Sequence, residues 1–260
     1  MRGVTPPPLD SIRRAAALFS DATSVLFITG AGLGADSGLP TYRGVGGLYQ
    51  DSRTEDGVPV EVALSGGMMK TRPELTWKYI AEIERACRTA RPNRGHEVIA
   101  AFGRRVPRTV VLTQNVDGFH LEAGSREVIE IHGNLRKLRC TECSHRRVVR
   151  DYSQLDIPPR CPACGGVVRP DVVLFGESLP EPAVRRLRDE LVHGFDLLVT
   201  VGTKASFPYV SSPIVEARRT GGKTIEIDPG ETEVTPFVDL KLASKAAETL
   251  GAIARELRLR

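Results

Sequence analysis

One junction near the N-terminus narrows the fold more than any other feature of the chain. An apolar run, Ser24-Val-Leu-Phe-Ile-Thr29, passes without a spacer into Gly30-Ala-Gly-Leu-Gly-Ala35. A short apolar run bounded by turn residues predicts a buried parallel strand. Gly30, Gly32 and Ala35 then stand at the G-x-G-x-x-[GA] spacing of a dinucleotide-binding turn, with Ala31 between the two glycines. In such a turn the first glycine permits the tight bend and the second lets backbone approach a pyrophosphate. The small third residue packs against the strand. Ordinary turns after strands also use glycine, so the spacing leaves both readings open. The tail from Ser37 to Arg43 is less ordinary, because Gly38 and Pro40 oppose a helix there. The chain is expected to leave the turn as a long ordered loop ending in an aromatic, Tyr42, and a cation, Arg43.

Helix-like and strand-like stretches alternate through the remainder. Asp10 or Ser11 caps a first helix to about Ser20, with Ile12, Ala15, Ala16 and Phe19 on one face. Gly44 to Thr71 is rich in glycine, lacks periodicity and reads as a long loop. Pro73 starts a helix to about Arg88 with Leu75, Tyr79, Ile80 and Ile83 apolar. Asn93 caps another carrying Val98, Ile99 and Phe102. Thr109–Thr113, Val128–Ile131, Asp171–Phe175, Phe195–Val201, Thr224–Asp228 and Asp239–Leu242 read as strands. Helices follow from Pro180 to about His193, from Pro208 to Thr220, and after a Ser244 cap. This rhythm predicts an α/β fold built on a doubly wound parallel sheet.

Chemistry-bearing residues recur directly after these strands, where open α/β sheets place ligands. Gln114-Asn115-Val116-Asp117 follows the second strand, although Asn115 or Asp117 would also serve as a helix cap. His132 and Gly133 follow the next; the imidazole is either a satisfied structural side chain or a proton acceptor. Gly202-Thr203-Lys204 ends a later strand in small residues suited to phosphate contact. Asp228 ends another: it is either a solvated turn residue or an acceptor from both ribose hydroxyls, which favours NAD over NADP.

Composition limits the partners. The 260 residues carry a net charge of only +4, with 41% hydrophobic and 26% charged residues, which is no footprint of a dedicated nucleic-acid binder. No run is apolar enough to span a membrane, and the opening Met-Arg-Gly-Val-Thr-Pro-Pro-Pro lacks a signal-peptide core. A cytoplasmic protein with reduced cysteines is expected. In that setting Cys140-Thr-Glu-Cys143 and Cys161-Pro-Ala-Cys164, separated by 17 residues, have the spacing of a tetrahedral four-cysteine zinc site. Four thiolates close the coordination sphere, so the metal is structural and braces a module from about Arg136 to Arg169. A ribbon that grips nucleic acid ranks low for want of aromatic residues, and Cys87 reads as a packed helix residue.

Together these residues resemble the sirtuin family. The matching pieces are Gly30 to Arg43, Thr113 to Asp117, His132-Gly-Asn134, the two cysteine pairs, Phe175-Gly-Glu177 and Gly202-Thr203. They stand in the family's order over nearly the whole chain. The resemblance implies one catalytic domain over 9–260. Its Rossmann-type large part covers about 9–43, 93–135 and 170–260, and its small part a helical insertion at 44–92 plus the zinc ribbon at 136–169. It implies NAD-dependent removal of acyl groups from lysines of protein substrates by a monomer with no membrane association. The products would be free lysine, nicotinamide and O-acyl-ADP-ribose. On the same grounds Gln114, Asn115, Val116 and Asp117 would hold the nicotinamide and its ribose, and His132 would be the general base. Tyr42 and Arg43 would lie against the cofactor, Val173 and Phe175 would line the acyl-lysine tunnel, and the substrate backbone would add as a strand between Gly176-Glu177 and the loop after Lys204. An ADP-ribosyltransferase or NAD glycohydrolase would use the same site. Gly34, Tyr42, Lys204 and Asp228 depart from common family residues; Lys204 brings a cation to a phosphate-facing loop. Ile80 and Ile83 stand where the desuccinylating branch has a Tyr-x-x-Arg pair, which predicts neutral acyl groups.

Overall fold

The computed structural model describes residues 7–40 and 53–259. Along the chain run α1 (Leu9–Asp21), β1 (Ser24–Thr29), α2 (Ala31–Ala35), α3 (Val60–Ala63), α4 (Gly66–Thr71), α5 (Pro73–Thr89), α6 (Arg94–Arg105), β2 (Arg108–Thr113), α7 (Phe119–Glu122), β3 (Glu127–Glu130), β4 (Gly133–Cys140), β5 (Arg146–Val148), β6 (Val168–Val172), α8 (Glu181–Val192), β7 (Leu197–Val201), α9 (Pro208–Thr220), β8 (Lys223–Ile227), β9 (Leu240–Leu242) and α10 (Ala246–Glu256). Six parallel strands form one sheet in the order β3-β2-β1-β7-β8-β9. The order reverses beside β1, which creates a crevice outside the carboxyl ends of β1 and β7.

Alternation along the strands explains why helices cover both faces. Val25 and Phe27 point to one side, where Ile12 and Phe19 of α1, Ile99 and Phe102 of α6 and Ile253 of α10 meet them. Leu26 and Ile28 point to the other, against Leu187 of α8 and Ile214 of α9. Asp196 pins the start of β1: its Oδ2 accepts from Thr23 N, Thr23 Oγ1 and Ser24 N at 2.6–3.0 Å.

A second core is built from α3, α4 and α5 packed on a three-stranded antiparallel sheet, β5-β4-β6. Trp77 is fully buried there and donates Nε1–H to Val168 O at 3.0 Å. Ile80 and Ile83 are buried in the same core.

Several expectations need correction. Part of the stretch read as loop folds into α3 and α4; these helices are too short to show a period, and Gly66 and Gly67 disguise α4. Of the strand expected over Asp171–Phe175 only Asp171 and Val172 lie in a strand, β6, which pairs antiparallel with β4 in the small sheet. Its apolar residues face the second core, a property composition does not distinguish from burial in a parallel sheet. Ser244 does not cap α10: its hydroxyl is buried without a partner, and Asp36 Oδ2 accepts from Ala247 N at 2.8 Å instead.

Candidate active site

The strand register sets the site. Thr29 is level with Thr113 and with Val201, so β1, β2 and β7 end together. Each first residue beyond a strand then bonds to a neighbouring strand: Gly30 N to Val201 O, Gln114 N to Thr29 O and Gly202 N to Ile227 O, at 2.9–3.1 Å. The glycines are needed because backbone meets backbone. A Cβ on Gly30 would lie 2.8 Å from Gly202 O, one on Gly32 would lie 2.7 Å from Gly202 Cα, and Gly202 itself has φ of 59°. The turn continues as the short helix α2, where Leu33 and Gly34 face inward and Ala35 is exposed. Ala35 therefore does not pack against the strand as expected; in a five-residue helix the inward face falls on Leu33 and Gly34. The loop expected over Ser37 to Arg43 is described only as far as Pro40, and Tyr42 and Arg43 lie outside the described residues.

The amide loop closes on this turn. Asn115 Nδ2 donates to Gly30 O at 3.0 Å, and Gln114 Nε2 donates to Thr203 Oγ1 at 2.8 Å. Val116 O accepts from Leu135 N at 3.0 Å, joining the loop to β4. Asp117 is buried at 6% exposure, and its Oδ1 accepts from Phe119 N at 2.8 Å, so the capping role is realised at α7. Burial pushes its carboxyl up to about 6, partly offset by that hydrogen bond.

His132 stands half-buried between these groups. A carbonyl can only accept, so Nδ1 donates to Gln114 O at 3.0 Å, and Nε2 is left as the acceptor. That acceptor meets the hydroxyl of Tyr209 at 2.6 Å. Burial lowers the imidazole from its ordinary 6.5, so the ring is neutral at pH 7. Val173 N donates to His132 O at 2.9 Å, which places Val173 beside the base. Phe175 is exposed, but its backbone is already paired with Leu64 and Gly66. Beyond Gly176, the Glu177 carboxylate is held by Arg169 at 2.5 and 3.0 Å and by Leu174 N at 2.9 Å. At the far side, Asp228 Oδ1 accepts from Gly230 N at 2.8 Å, and the exposed Lys204 turns toward it at 3.9 Å.

Sequence reasoning missed Tyr209 and Phe207, whose rings stack at 5.4 Å beside His132. Two aromatics around Pro208, just after a functional strand end, were the available signal. It also missed His96 and His120, buried imidazoles behind the glycine turn with ring centroids 4.9 Å apart. His120 Nε2 lies 2.9 Å from Thr29 Oγ1, and burial lowers both rings.

The four cysteines converge, with every Sγ within 4.8 Å of the others and three pairs at 3.5–3.6 Å. Tetrahedral zinc with Zn–S of about 2.3 Å places sulfurs about 3.8 Å apart, so the donor set fits that ion.

The Sir2 family profile matches residues 30–207. NAD-dependent protein deacylase 2 of Pseudomonas aeruginosa is 50% identical over 239 residues, covering 91% of this chain and 93% of that one. The NAD-dependent protein deacylase of Aquifex aeolicus is 37% identical, covering 90% and 95%. Among solved structures, a Sir2 homologue–NAD complex is 35% identical with a TM-score of 0.84, covering 94% and 93%. A Sir2 variant with deacetylated p53 peptide and 3′-O-acetyl ADP ribose is 26% identical at the same TM-score, covering 96% and 99%. By profile, sequence and fold alike, the chain belongs to the Sir2 family, the sirtuins.

Proposed function

We propose that this protein is an NAD-dependent protein-lysine deacetylase, transferring the acyl group to ADP-ribose with release of nicotinamide. The observation that carries the reading is His132: a neutral imidazole, oriented by Gln114 O, whose Nε2 is left as the acceptor within a ring of strand ends. The names of the relatives and the ligands of the solved structures support the same chemistry. NAD, when bound, supplies an anomeric carbon from which nicotinamide departs with the bonding electrons. Close backbone approach at Gly30, Gly32 and Gly202 builds the turn against which its phosphates would lie. Gln114, Asn115 and Asp117 orient the nicotinamide end, a positioning contribution, and Asp228 serves the adenosine ribose. His132 Nε2 takes the hydroxyl proton. Ile80 and Ile83 are buried and uncharged, which supports neutral acyl groups such as acetyl. The substrate reaches the site as a strand between Gly176 and the segment after Lys204, with affinity from main-chain hydrogen bonds.

The cysteines hold zinc and do no chemistry. A reducing cytoplasm suits thiols placed this closely, and among the described residues no helix is long and apolar enough to cross a membrane. The test is incubation with NAD and acetyl-lysine or succinyl-lysine peptide, read by mass spectrometry. O-acetyl-ADP-ribose is expected, with acetyl turnover above succinyl and His132→Ala slower by about 10²–10⁴-fold. Plain ADP-ribose or ADP-ribosylated protein as the sole sugar product would assign the site to the hydrolase or transferase reaction instead.

A further inference from the structure

The base of the proposed reaction is already engaged. Nδ1 of His132 donates its N–H to Gln114 O, so Nε2 offers a single lone pair, and Tyr209 O–H donates into it at 2.6 Å. Burial raises the phenol's pKa, so it stays protonated and remains the donor. An imidazole nitrogen with one lone pair cannot accept this proton and a substrate hydroxyl's proton together. Tyr209 therefore occupies the place that a reacting hydroxyl must take.

Its setting is built rather than incidental. Tyr209 is the second residue of α9, and Phe207 stacks on it with an interplanar angle of 12° while meeting His132 edge-on at 6.3 Å. The segment joining β7 to this helix holds Ala205 at φ of 55°, a left-handed conformation that a non-glycine residue adopts only when its surroundings enforce it. The same segment is the one proposed to receive the substrate backbone. Among the described residues no charged side chain bears on the imidazole, whose surroundings are Gln114 O, the phenol and the Phe207 ring.

We propose that Tyr209 is a positioning residue that caps His132 until acyl-lysine substrate displaces the 204–209 segment, and so suppresses hydrolysis of NAD in the absence of substrate. The inference rests on the deacylase reading. In the suppressed reaction a water oxygen bonds to C1′ as the bond to nicotinamide breaks. Nicotinamide leaves with that electron pair, and the water proton goes to Nε2.

Tyr209→Phe removes the hydroxyl while keeping the ring and its stacking. With NAD alone, ADP-ribose formation by Y209F is expected to rise about fivefold, the worth of one net hydrogen bond. In the free protein, the NMR titration midpoint of the His132 ring should also move, because the phenol donates to the neutral imidazole and would have to rotate to accept from the imidazolium. An unmoved titration overturns the cap, as does peptide-free hydrolysis that does not rise. A wild-type protein that makes no O-acetyl-ADP-ribose sinks the deacylase reading, and the ligand-free titration still decides the cap separately.

Discussion

Asp117 shows how a single side chain can be held against its own chemistry. Its carboxyl is pushed up to about 6 from the ordinary 3.8, first by burial and further by Glu130, against the Phe119 N–H bond that favours the charged form. A carboxyl raised on folding binds its proton more tightly in the folded state. Its stabilising contribution is complete below the ordinary carboxylate range and is lost as pH rises through about 6. Asp117→Asn keeps a carbonyl oxygen for the cap and removes the charge. The variant should gain up to about 3 kcal/mol at pH 7.5 and almost nothing at pH 4, measured as the difference in Tm between the two pH values; an equal shift at both would contradict the assignment. Gln114, Asn115 and His132 were legible in the sequence because each stands within two residues of a strand's carboxyl end, a position with a general meaning in parallel sheets. Tyr209 was not, because an aromatic in the first turn of a helix reads as core. Only the fold brings residues 132 and 209 to 2.6 Å.

At the scale of the element, the glycine turn is a contact between two backbones rather than a flexible loop. Gly32 N donates to Gly202 O at 2.8 Å, and a Cβ on Gly202 would lie 2.5 Å from Leu33 N. Gly202→Ala therefore adds a left-handed alanine and pushes α2 off β7, with an expected loss of about 2–4 kcal/mol and weakened NAD binding. Gly34→Ala is the control, since its nearest contact would be an ordinary 3.5 Å to Leu39. Denaturant melts of the two variants separate crowding at the turn from a general intolerance of alanine. Among elements, α5, α6 and α9 were legible through proline or asparagine starts and periodic apolar faces. The helix α10 was legible in place but not in its cap, because Asp36 reaches it from 211 positions away.

Among the described residues one apolar cluster lies on each face of the parallel sheet and another around the small sheet, and the cysteines serve the last. Cys140 and Cys161 are buried in it alongside Trp77, the chain's single tryptophan. Removing zinc by a strong chelator should unfold the ribbon and loosen β6, which accepts the indole N–H through Val168. Tryptophan emission is expected to shift to the red, while circular dichroism from the parallel sheet changes little. Unchanged emission after verified metal loss would detach the ion from that core. One consequence of the larger sheet concerns its birth on the ribosome. β1 lies between β2 and β7, and its first residues are tied to Asp196, 173 positions from Thr23. At about 5–20 residues per second, roughly 9 to 35 seconds separate synthesis of the central strand from arrival of its second neighbour. Through that interval the nascent chain carries at least one side of its central strand unpaired, open to intermolecular pairing until β7 emerges.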